Sequence, residues 1–250
     1  MLSNVQIADF HKQGFLVLPK LGDARYCQAV LAFAQQQLKQ AIPPLEYEAD
    51  TGYPGAPTAV TETGGNTVRR LLGVSLRDPL IADWATGPAL AVPLKQLLGD
   101  QVLLSQAHHN CIMTKQPRYS SRTGWHRDSR YWHFQRPELI SAWLALRNET
   151  VENGCLLVIP GSHRVQVAAQ GLDSAQFLKA DYPDNQSLLA EAIPVPLDAG
   201  DVLLFSSNLF HAAGRNQTGD TKFSMVFTYR AADNPPIPDT RSTSLPELFI

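Results

Sequence analysis

The sequence has few cysteines, no excess of basic residues and no long apolar run. Its three cysteines are far apart and form no CxxC pair, which argues against a disulfide scaffold and favours a reducing compartment. A formal net charge of -2 argues against nucleic-acid binding through a basic surface. No apolar stretch approaches the roughly 20 residues that span a bilayer, and the first residues lack a signal-peptide layout. We therefore expect a cytoplasmic protein that binds neither nucleic acid nor membrane; its oligomeric state stays open.

The sequence pattern changes from mainly helical to mainly β near residue 100. Helical patterns are predicted at 4–13, capped by Ser3 or Asn4, at 23–41, and at 78–99 with a break near Gly87. GFLVLPK (14–20) is a short β-rich run, and 43–67, rich in Pro, Gly and Thr, is a long loop. From 101 onward short β-branched and aromatic runs alternate with turn signals. We predict one domain that is mainly β: a helical part (1–100), a jelly-roll core (101–232) and a tail (233–250).

The stretch GWHRDSRYWHF carries the first chemical signal. His126 and Asp128 are two residues apart, and in an extended strand residues i and i+2 point to the same face. One imidazole and one carboxylate make two thirds of a metal site. Among the seven histidines, His211 is the best third ligand, because it ends the apolar run DVLLFSSNLFH that points into the same core. Two histidines and one carboxylate form the facial triad of non-heme Fe(II) oxygenases.

Three further segments give this pair its context. ENGCLLVIPGSHR (152–164), DAGDVLLFSSNLFHAAGRNQTGDTKFSMVFTYR (198–230) and the early GFLVLPK occur in order around the HRD. Together they resemble the phytanoyl-CoA dioxygenase family of Fe(II)/2-oxoglutarate oxygenases. The resemblance implies a double-stranded β-helix, or jelly roll, that holds iron through His126, Asp128 and His211. It also implies 2-oxoglutarate as cosubstrate, O2 as co-reactant and a small-molecule substrate.

The resemblance also suggests how the cosubstrate is held. The family places an arginine eleven residues after its last metal histidine, where this chain has Lys222, and Ser224 shares the same strand face. Lysine offers a point charge but cannot form the bidentate fork of arginine. Lys222 is therefore the predicted anchor of the far carboxylate of 2-oxoglutarate. Arg215, predicted near the mouth of the barrel, is its rival and also a candidate substrate contact.

Other candidate site residues depend on strand alternation and on a closer likeness. WHRDSRYWH resembles the corresponding stretch of ectoine hydroxylases in the family, which implies that Trp132 and Ser141 line the 2-oxoglutarate side of the pocket. On the predicted strand 106–115, His109 and Lys115 alternate to one face. If that face is the barrel interior, His109 lies near the iron and the substrate, and Lys115 lies near the cosubstrate.

Substrate identity is set by the barrel mouth, for which the sequence offers only candidate segments. These are the 44–66 loop, Arg69 and Arg70, 117–123, Arg127, Arg130 and 171–190. The arginines around the HRD are consistent with an anionic substrate, and we expect a small amino-acid-like molecule or natural product; they are Arg118, Arg122, Arg127 and Arg130.

The expected reaction is hydroxylation of a substrate C–H bond, with release of succinate and CO2. Desaturation and ring closure remain open. Two other readings also stay open: a non-catalytic jelly-roll sensor that binds metal and 2-oxoglutarate, which the lysine at 222 favours, and a metal hydrolase, against which the lack of an obvious general base counts.

Overall fold

The computed structural model describes residues 1–53 and 55–250, so Pro54, within the predicted 43–67 loop, lies outside the described residues. The helices are α1 (Asn4–Gln13), α2 (Ala24–Gln40), α3 (Pro79–Thr86), α4 (Pro88–Leu98) and α5 (Pro183–Ala190). The strands are β1 (Phe15–Leu18), β2 (Leu45–Tyr47), β3 (Val68–Leu72), β4 (Val102–Ser105), β5 (Asn110–Lys115), β6 (Thr123–His126), β7 (Leu139–Ala145), β8 (Leu156–Val158), β9 (Ile193–Val195), β10 (Val202–Ser206), β11 (His211–Ala213), β12 (Lys222–Ala231) and β13 (Glu247–Phe249).

The N-terminal helices begin and end where their sequence signals lie. The Ser3 hydroxyl accepts from the Gln6 amide in a capping box, and α1 stops at Gly14, whose φ of 82° is a left-handed conformation that suits glycine. The Asp23 carboxylate caps α2 by accepting from the Tyr26 amide. Pro88 opens a new helix directly after Gly87, so the segment 78–99 is two helices. These predictions are confirmed.

The strands form two antiparallel sheets. The larger runs β1-β10-β7-β12-β5-β3-β2, with β4 paired to β12 and β13, and the smaller runs β6-β11-β8-β9. Three strands of the larger sheet, β1, β2 and β3, therefore come from the first 100 residues, and β13 comes from the tail. Of these four strands, the sequence predicted only β1. Local signals for β2, β3 and β13 are weak because strands of three to five residues gain their stability from the sheet they join.

Strand alternation divides the larger sheet into two faces. Along β12, Met225, Phe227 and Tyr229 pack with the helices, whereas Val226 packs with residues of the smaller sheet. The period of two therefore turns Lys222 and Ser224 to the inside of the sandwich. The same rule on β5 turns Cys111, Met113 and Lys115 inward, so the face that the sequence assigned to Lys115 is the interior one.

Two stretches predicted as continuous strands are interrupted. The 101–115 run breaks into β4 and β5, and His108 and His109 lie in the connection between them. The apolar run before His211 ends as a strand at Ser206, and His211 begins β11 after a turn. Placing His211 at the end of that strand was therefore wrong, as was placing His108 and His109 within one. Neither break contains Gly or Pro, but the turn before His211 is marked by the polar cluster Ser206-Ser207-Asn208, a signal that the prediction passed over.

The helical layer is tied to the sheet by a buried polar contact. Tyr229 is fully buried on β12, and its hydroxyl donates to the Ala85 carbonyl near the end of α3 at 2.7 Å. Carbonyls in the last turn of a helix receive no hydrogen bond from an N–H group of the same helix, and the Tyr229 hydroxyl supplies a donor to one of them. Within the described ranges, helices of the length and apolarity needed to traverse a bilayer are absent.

We expect Tyr229→Phe to destabilise the protein by ~1–3 kcal/mol, because it leaves a buried carbonyl without its donor. Urea unfolding followed by circular dichroism measures the change. Tyr119→Phe, at an exposed tyrosine, is the matched control and should change the unfolding free energy by less than ~0.5 kcal/mol. Equal effects of the two substitutions would contradict the role of this bond.

Candidate metal centre and its two cavities

Pairing of two short strands brings the predicted metal ligands together. His211 on β11 lies directly opposite His126 on β6, and their ring centroids are 4.2 Å apart. Asp128 follows β6 in a 3-10 turn, not in an extended strand as the sequence suggested. One donor atom from each residue lies within 4.8 Å of the others, in a buried group that could hold a metal ion.

Both imidazoles are oriented by backbone carbonyls. The Nδ1 atoms of His126 and His211 lie 2.9 Å from the Gly124 carbonyl oxygen and 3.1 Å from the Leu209 carbonyl oxygen. The tautomer that donates in both bonds leaves each Nε2 as a lone-pair donor facing Asp128 Oδ1, at 3.5 and 3.6 Å. A second-shell carbonyl that fixes the ring in this way is typical of metal-binding histidines. Burial lowers the pKa of His126 to about 4, which favours the neutral imidazole that a metal requires.

The carboxylate of Asp128 fits a cation. Burial acts to raise its pKa, but the imidazoles of His109, His211 and His126 around it lower the pKa overall, so the group is ionised. Its Oδ2 atom is buried and has no hydrogen bond from any described residue. A buried carboxylate with an oxygen that lacks a donor is costly, and a divalent cation held by His126, Asp128 and His211 would offset that cost. The residues present therefore fit an iron site.

Two cavities meet at this centre. The first, which we call the lysine cavity, extends into the sandwich and is lined among others by Arg69, Lys115 and Lys222. The second, the arginine cleft, is lined among others by Glu46, Arg130 and Trp132. Both cavities share five lining residues, namely Tyr53, Arg70, His109, His126 and Asp128. A metal held by the triad would therefore face both.

A buried ion pair stands at the inner end of the lysine cavity. Lys222 Nζ lies 2.8 Å from Glu149 Oε2, and both side chains are almost completely buried. The other oxygen of Glu149 accepts from Trp143 Nε1 at 2.9 Å and from the Ser224 hydroxyl at 2.5 Å. We call these four residues the Glu149 cluster. Three donors hold the carboxylate in place, which the desolvation of a buried ion requires.

Lys115 lies opposite Lys222 in the register of β5 and β12. Its Nζ donates to the Ser121 carbonyl at 3.0 Å. Burial, together with the positive charges of Arg69 and Lys222, lowers the pKa of Lys115 well below its ordinary value. An anion arriving in this cavity would supply the missing countercharge.

The remaining predicted residues fall into different places. His109 lies with Nδ1 3.6 Å from Asp128 Oδ2 and 3.5 Å from the Ser141 hydroxyl, beside the triad. Ser141 is fully buried behind it. Trp132 packs edge-to-face on His109 and lines the arginine cleft, whereas the sequence assigned it to the cosubstrate side. These roles stay predictions.

Two predicted substrate contacts lie away from both cavities. The Arg127 guanidinium donates to the carbonyls of Ser162 and Val165 and stacks on the Phe210 ring at 4.1 Å. Arg215 lines an outer groove that also contains Arg122 and Gly214. Neither residue is among the described residues that line the lysine cavity or the arginine cleft.

Glu149 is the functional candidate that the sequence did not reveal. It lies after β7, in the stretch LRNETVENG, where a carboxylate resembles any solvated loop charge. Its backbone pairs with Leu197, which draws the side chain inward toward β12. Tyr53, in the long loop, also escaped notice, although it lines both cavities. Contacts between segments this distant in sequence leave no local pattern.

We expect Glu149→Gln to destabilise the protein by ~3–5 kcal/mol, because it leaves Lys222 as an uncompensated buried charge. Denaturant unfolding measures the loss. Glu138→Gln removes an exposed carboxylate and should stay within ~0.5 kcal/mol of the parent. The double variant Glu149→Gln/Lys222→Met should recover most of the stability, and failure to do so would argue that the pair is not the cause.

Curated relatives match nearly the whole chain. Ectoine dioxygenase of Sphingopyxis alaskensis is 30% identical over 93% of this chain and 77% of its own length. Ectoine dioxygenase of Halomonas elongata is 27% identical over 93% of this chain and 71% of its own.

Solved structures of similar fold cover nearly the whole chain as well. Crystalline EctD from S. alaskensis with 2-oxoglutarate and 5-hydroxyectoine superposes with a TM-score of 0.77 at 26% identity, covering 98% of this chain and 82% of that one. The epimerase SnoN, in complex with Fe3+, alpha ketoglutarate and nogalamycin RO, superposes with a TM-score of 0.75 at 21% identity over 94% and 85%, and shows the fold alone.

These neighbours confirm the predicted mainly-β jelly roll with packed helices. The model of the phytanoyl-CoA dioxygenase (PhyH) family matches residues 10–224, which include the HRD, the PGSHR turn and His211. The chain belongs to the phytanoyl-CoA dioxygenase family.

Proposed function

We propose that this dioxygenase uses Fe(II) and 2-oxoglutarate to hydroxylate a C–H bond of a small-molecule substrate. The observation that carries the proposal is the buried triad at the junction of two cavities, one of which ends in buried lysines. Relatives named dioxygenases and a neighbour at 26% identity solved with 2-oxoglutarate support the same class. When bound with O2, iron and 2-oxoglutarate supply the oxidation, which yields succinate, CO2 and the hydroxylated product.

The residues of this chain have separable roles in that proposal. His126, Asp128 and His211 would hold the metal, and three protein ligands would leave it open to other ligands. The buried walls of the cavities exclude water from the reacting atoms. His109 lies within hydrogen-bonding distance of Ser141 and next to Asp128. Because it lines both cavities, it would contact ligands on either side.

The lysine cavity has the charge that a dicarboxylate cosubstrate needs. Besides Arg70, which pairs with Glu46, three cations lie there, Arg69, Lys115 and Lys222, against the two buried carboxylates Glu48 and Glu149. One positive charge therefore remains when Lys115 is protonated, which suits the far carboxylate of 2-oxoglutarate. Lys222 Nζ has three protons and contacts Glu149 and Ser224, so a third remains for the cosubstrate.

The first experiment is anaerobic titration of the protein with Fe(II) and 2-oxoglutarate, followed by visible absorption. We expect a charge-transfer band that requires both components, because the cosubstrate chelates the metal. His211→Ala should abolish the band and weaken Fe(II) binding, since it removes one of three ligands. A band that persists in His211→Ala would contradict the triad. A band without 2-oxoglutarate turnover on any substrate would favour the sensor alternative.

A second experiment tests Lys222 as the residue that binds the far carboxylate of 2-oxoglutarate. In the Glu149→Gln background, where no buried carboxylate loses its partner, Lys222→Ala should weaken 2-oxoglutarate binding roughly 10- to 150-fold relative to Glu149→Gln alone, the loss of one charge-assisted hydrogen bond of ~1.5–3 kcal/mol. The same absorbance titration, carried out against 2-oxoglutarate at fixed Fe(II), measures it. Lys222→Arg keeps the charge and should retain most of the affinity. Arg215→Ala should bind 2-oxoglutarate as the parent does; weakening there, and not at Lys222, would transfer the role to Arg215.

A further inference from the structure

The arginines near the triad differ in what their guanidinium groups bind. Arg69 uses its terminal nitrogens on Glu48, Ser121 and Thr123. Arg70 donates to Glu46 at 3.1 Å. Each of these two arginines is therefore tied to a carboxylate of the protein, although the Nε atom of each has no partner among the described residues.

Arg130 is held differently. Its Nη1 donates to the Ala175 carbonyl at 3.0 Å, and its guanidinium carbon lies 3.8 Å from the Phe177 ring centroid and 4.3 Å from that of Tyr131. Two aromatic rings and one carbonyl thus fix the position of the guanidinium group. This rigidity lowers the entropy lost when a ligand binds.

The remaining edge of Arg130 has no acceptor among the described residues. Nε and Nη2 are both shielded from solvent and lack a hydrogen-bond partner. The N–H bonds of these two atoms are parallel, and together they form the side-on fork that receives both oxygens of a carboxylate. Buried donors without acceptors are costly in a resting protein, and functional sites are where such costs are retained.

The place of Arg130 connects this residue with the proposed reaction. Arg130 lines the arginine cleft, and His126 and Asp128 line the same cleft. Arg241 adds a further cation at the cleft, whereas Glu46 partly neutralises Arg70. The lysine cavity, which we assign to the cosubstrate, does not include Arg130 among its described lining residues. An anion held by Arg130 would therefore belong to the substrate.

We infer that the arginine cleft recognises a carboxylate on the substrate, received by the Nε/Nη2 edge of Arg130. This inference rests on the proposed function, because it names the substrate class for that site. A carboxylate is favoured over a phosphate monoester, since a dianion would also meet the carboxylate of Glu46 in the same cleft. Tyr131, Trp132 and His108 form aromatic walls against which the remainder of a small molecule can pack.

The test compares three ring compounds of similar shape: benzoate, benzamide and phenylphosphonate. Each is titrated by calorimetry, anaerobically, into protein loaded with Fe(II) and saturating 2-oxoglutarate, so that the lysine cavity is occupied. We expect benzoate to bind about 10-fold or more tightly than benzamide, as one charge-assisted fork predicts. Phenylphosphonate should bind more weakly than benzoate.

Variants of Arg130 test whether this residue causes the preference for benzoate over benzamide. Arg130→Gln should bind benzoate and benzamide equally, and Arg130→Lys, which keeps the charge but loses the fork, should retain a smaller preference. Arg122→Gln removes an exposed arginine outside the cleft and should behave as the parent does. If Arg130→Gln fails to form the Fe(II)/2-oxoglutarate band, Arg130→Lys decides the result, and a full parental preference there would overturn the bidentate assignment.

The outcomes separate this inference from the proposed function. Absence of the charge-transfer band in the parent protein would refute the oxygenase proposal itself. A normal band with undetectable benzoate binding, with equal binding of benzamide, or with tighter binding of phenylphosphonate would overturn only the carboxylate inference. So would an unchanged benzoate affinity in Arg130→Gln.

Discussion

The antiparallel register of β6 and β11 is the constraint on which the site depends. It places His211 across from His126, and the chain then bends into a 3-10 turn that returns Asp128 to the same point. A shift of one residue in this register would turn one imidazole to the other face of the sheet. The smaller sheet has four short strands, so the register is stabilised by the packing of that sheet on the larger one, through Leu156, Val158 and Phe205. The metal centre thus draws its geometry from the sandwich.

Around this centre the protein keeps many charges away from water, and each has a specific compensation. Glu149 neutralises Lys222, and Glu48 neutralises Arg69 while its second oxygen accepts from the Ser121 amide. Such pairs do little for net stability, because desolvation offsets their attraction. The buried ion pairs do determine which cationic side chains keep a positive charge that no carboxylate neutralises. Lys115 and Arg130, for which the described residues supply no carboxylate partner, lie in different cavities at the triad. This separation is the physical basis for assigning cosubstrate to one cavity and substrate to the other.

Sequence reasoning succeeded where a local pattern and a physical rule coincide. Capping residues set α1 and α2, and Gly87-Pro88 divided the third helical segment. Alternation on β12 and β5 turned Lys222, Ser224 and Lys115 inward before the partner strands were known. It failed at the breaks before His109 and His211, which contain no Gly or Pro and are marked only by polar residues between apolar ones. It also failed at Arg127, because the backbone carbonyls that bind it belong to residues 35 and more positions away.

The sequence by itself determined the family and the three side chains of the triad, because these follow from motifs, and it determined the strand-rich core through the period of two along a strand. Tertiary structure alone decided which charged groups are free. Glu149 meets Lys222 from 73 positions away, and Arg130 is clamped between Tyr131 and Phe177 with one edge left without an acceptor. Pairing and burial of charge depend on which distant segments the fold brings into contact, and neither composition nor spacing records that.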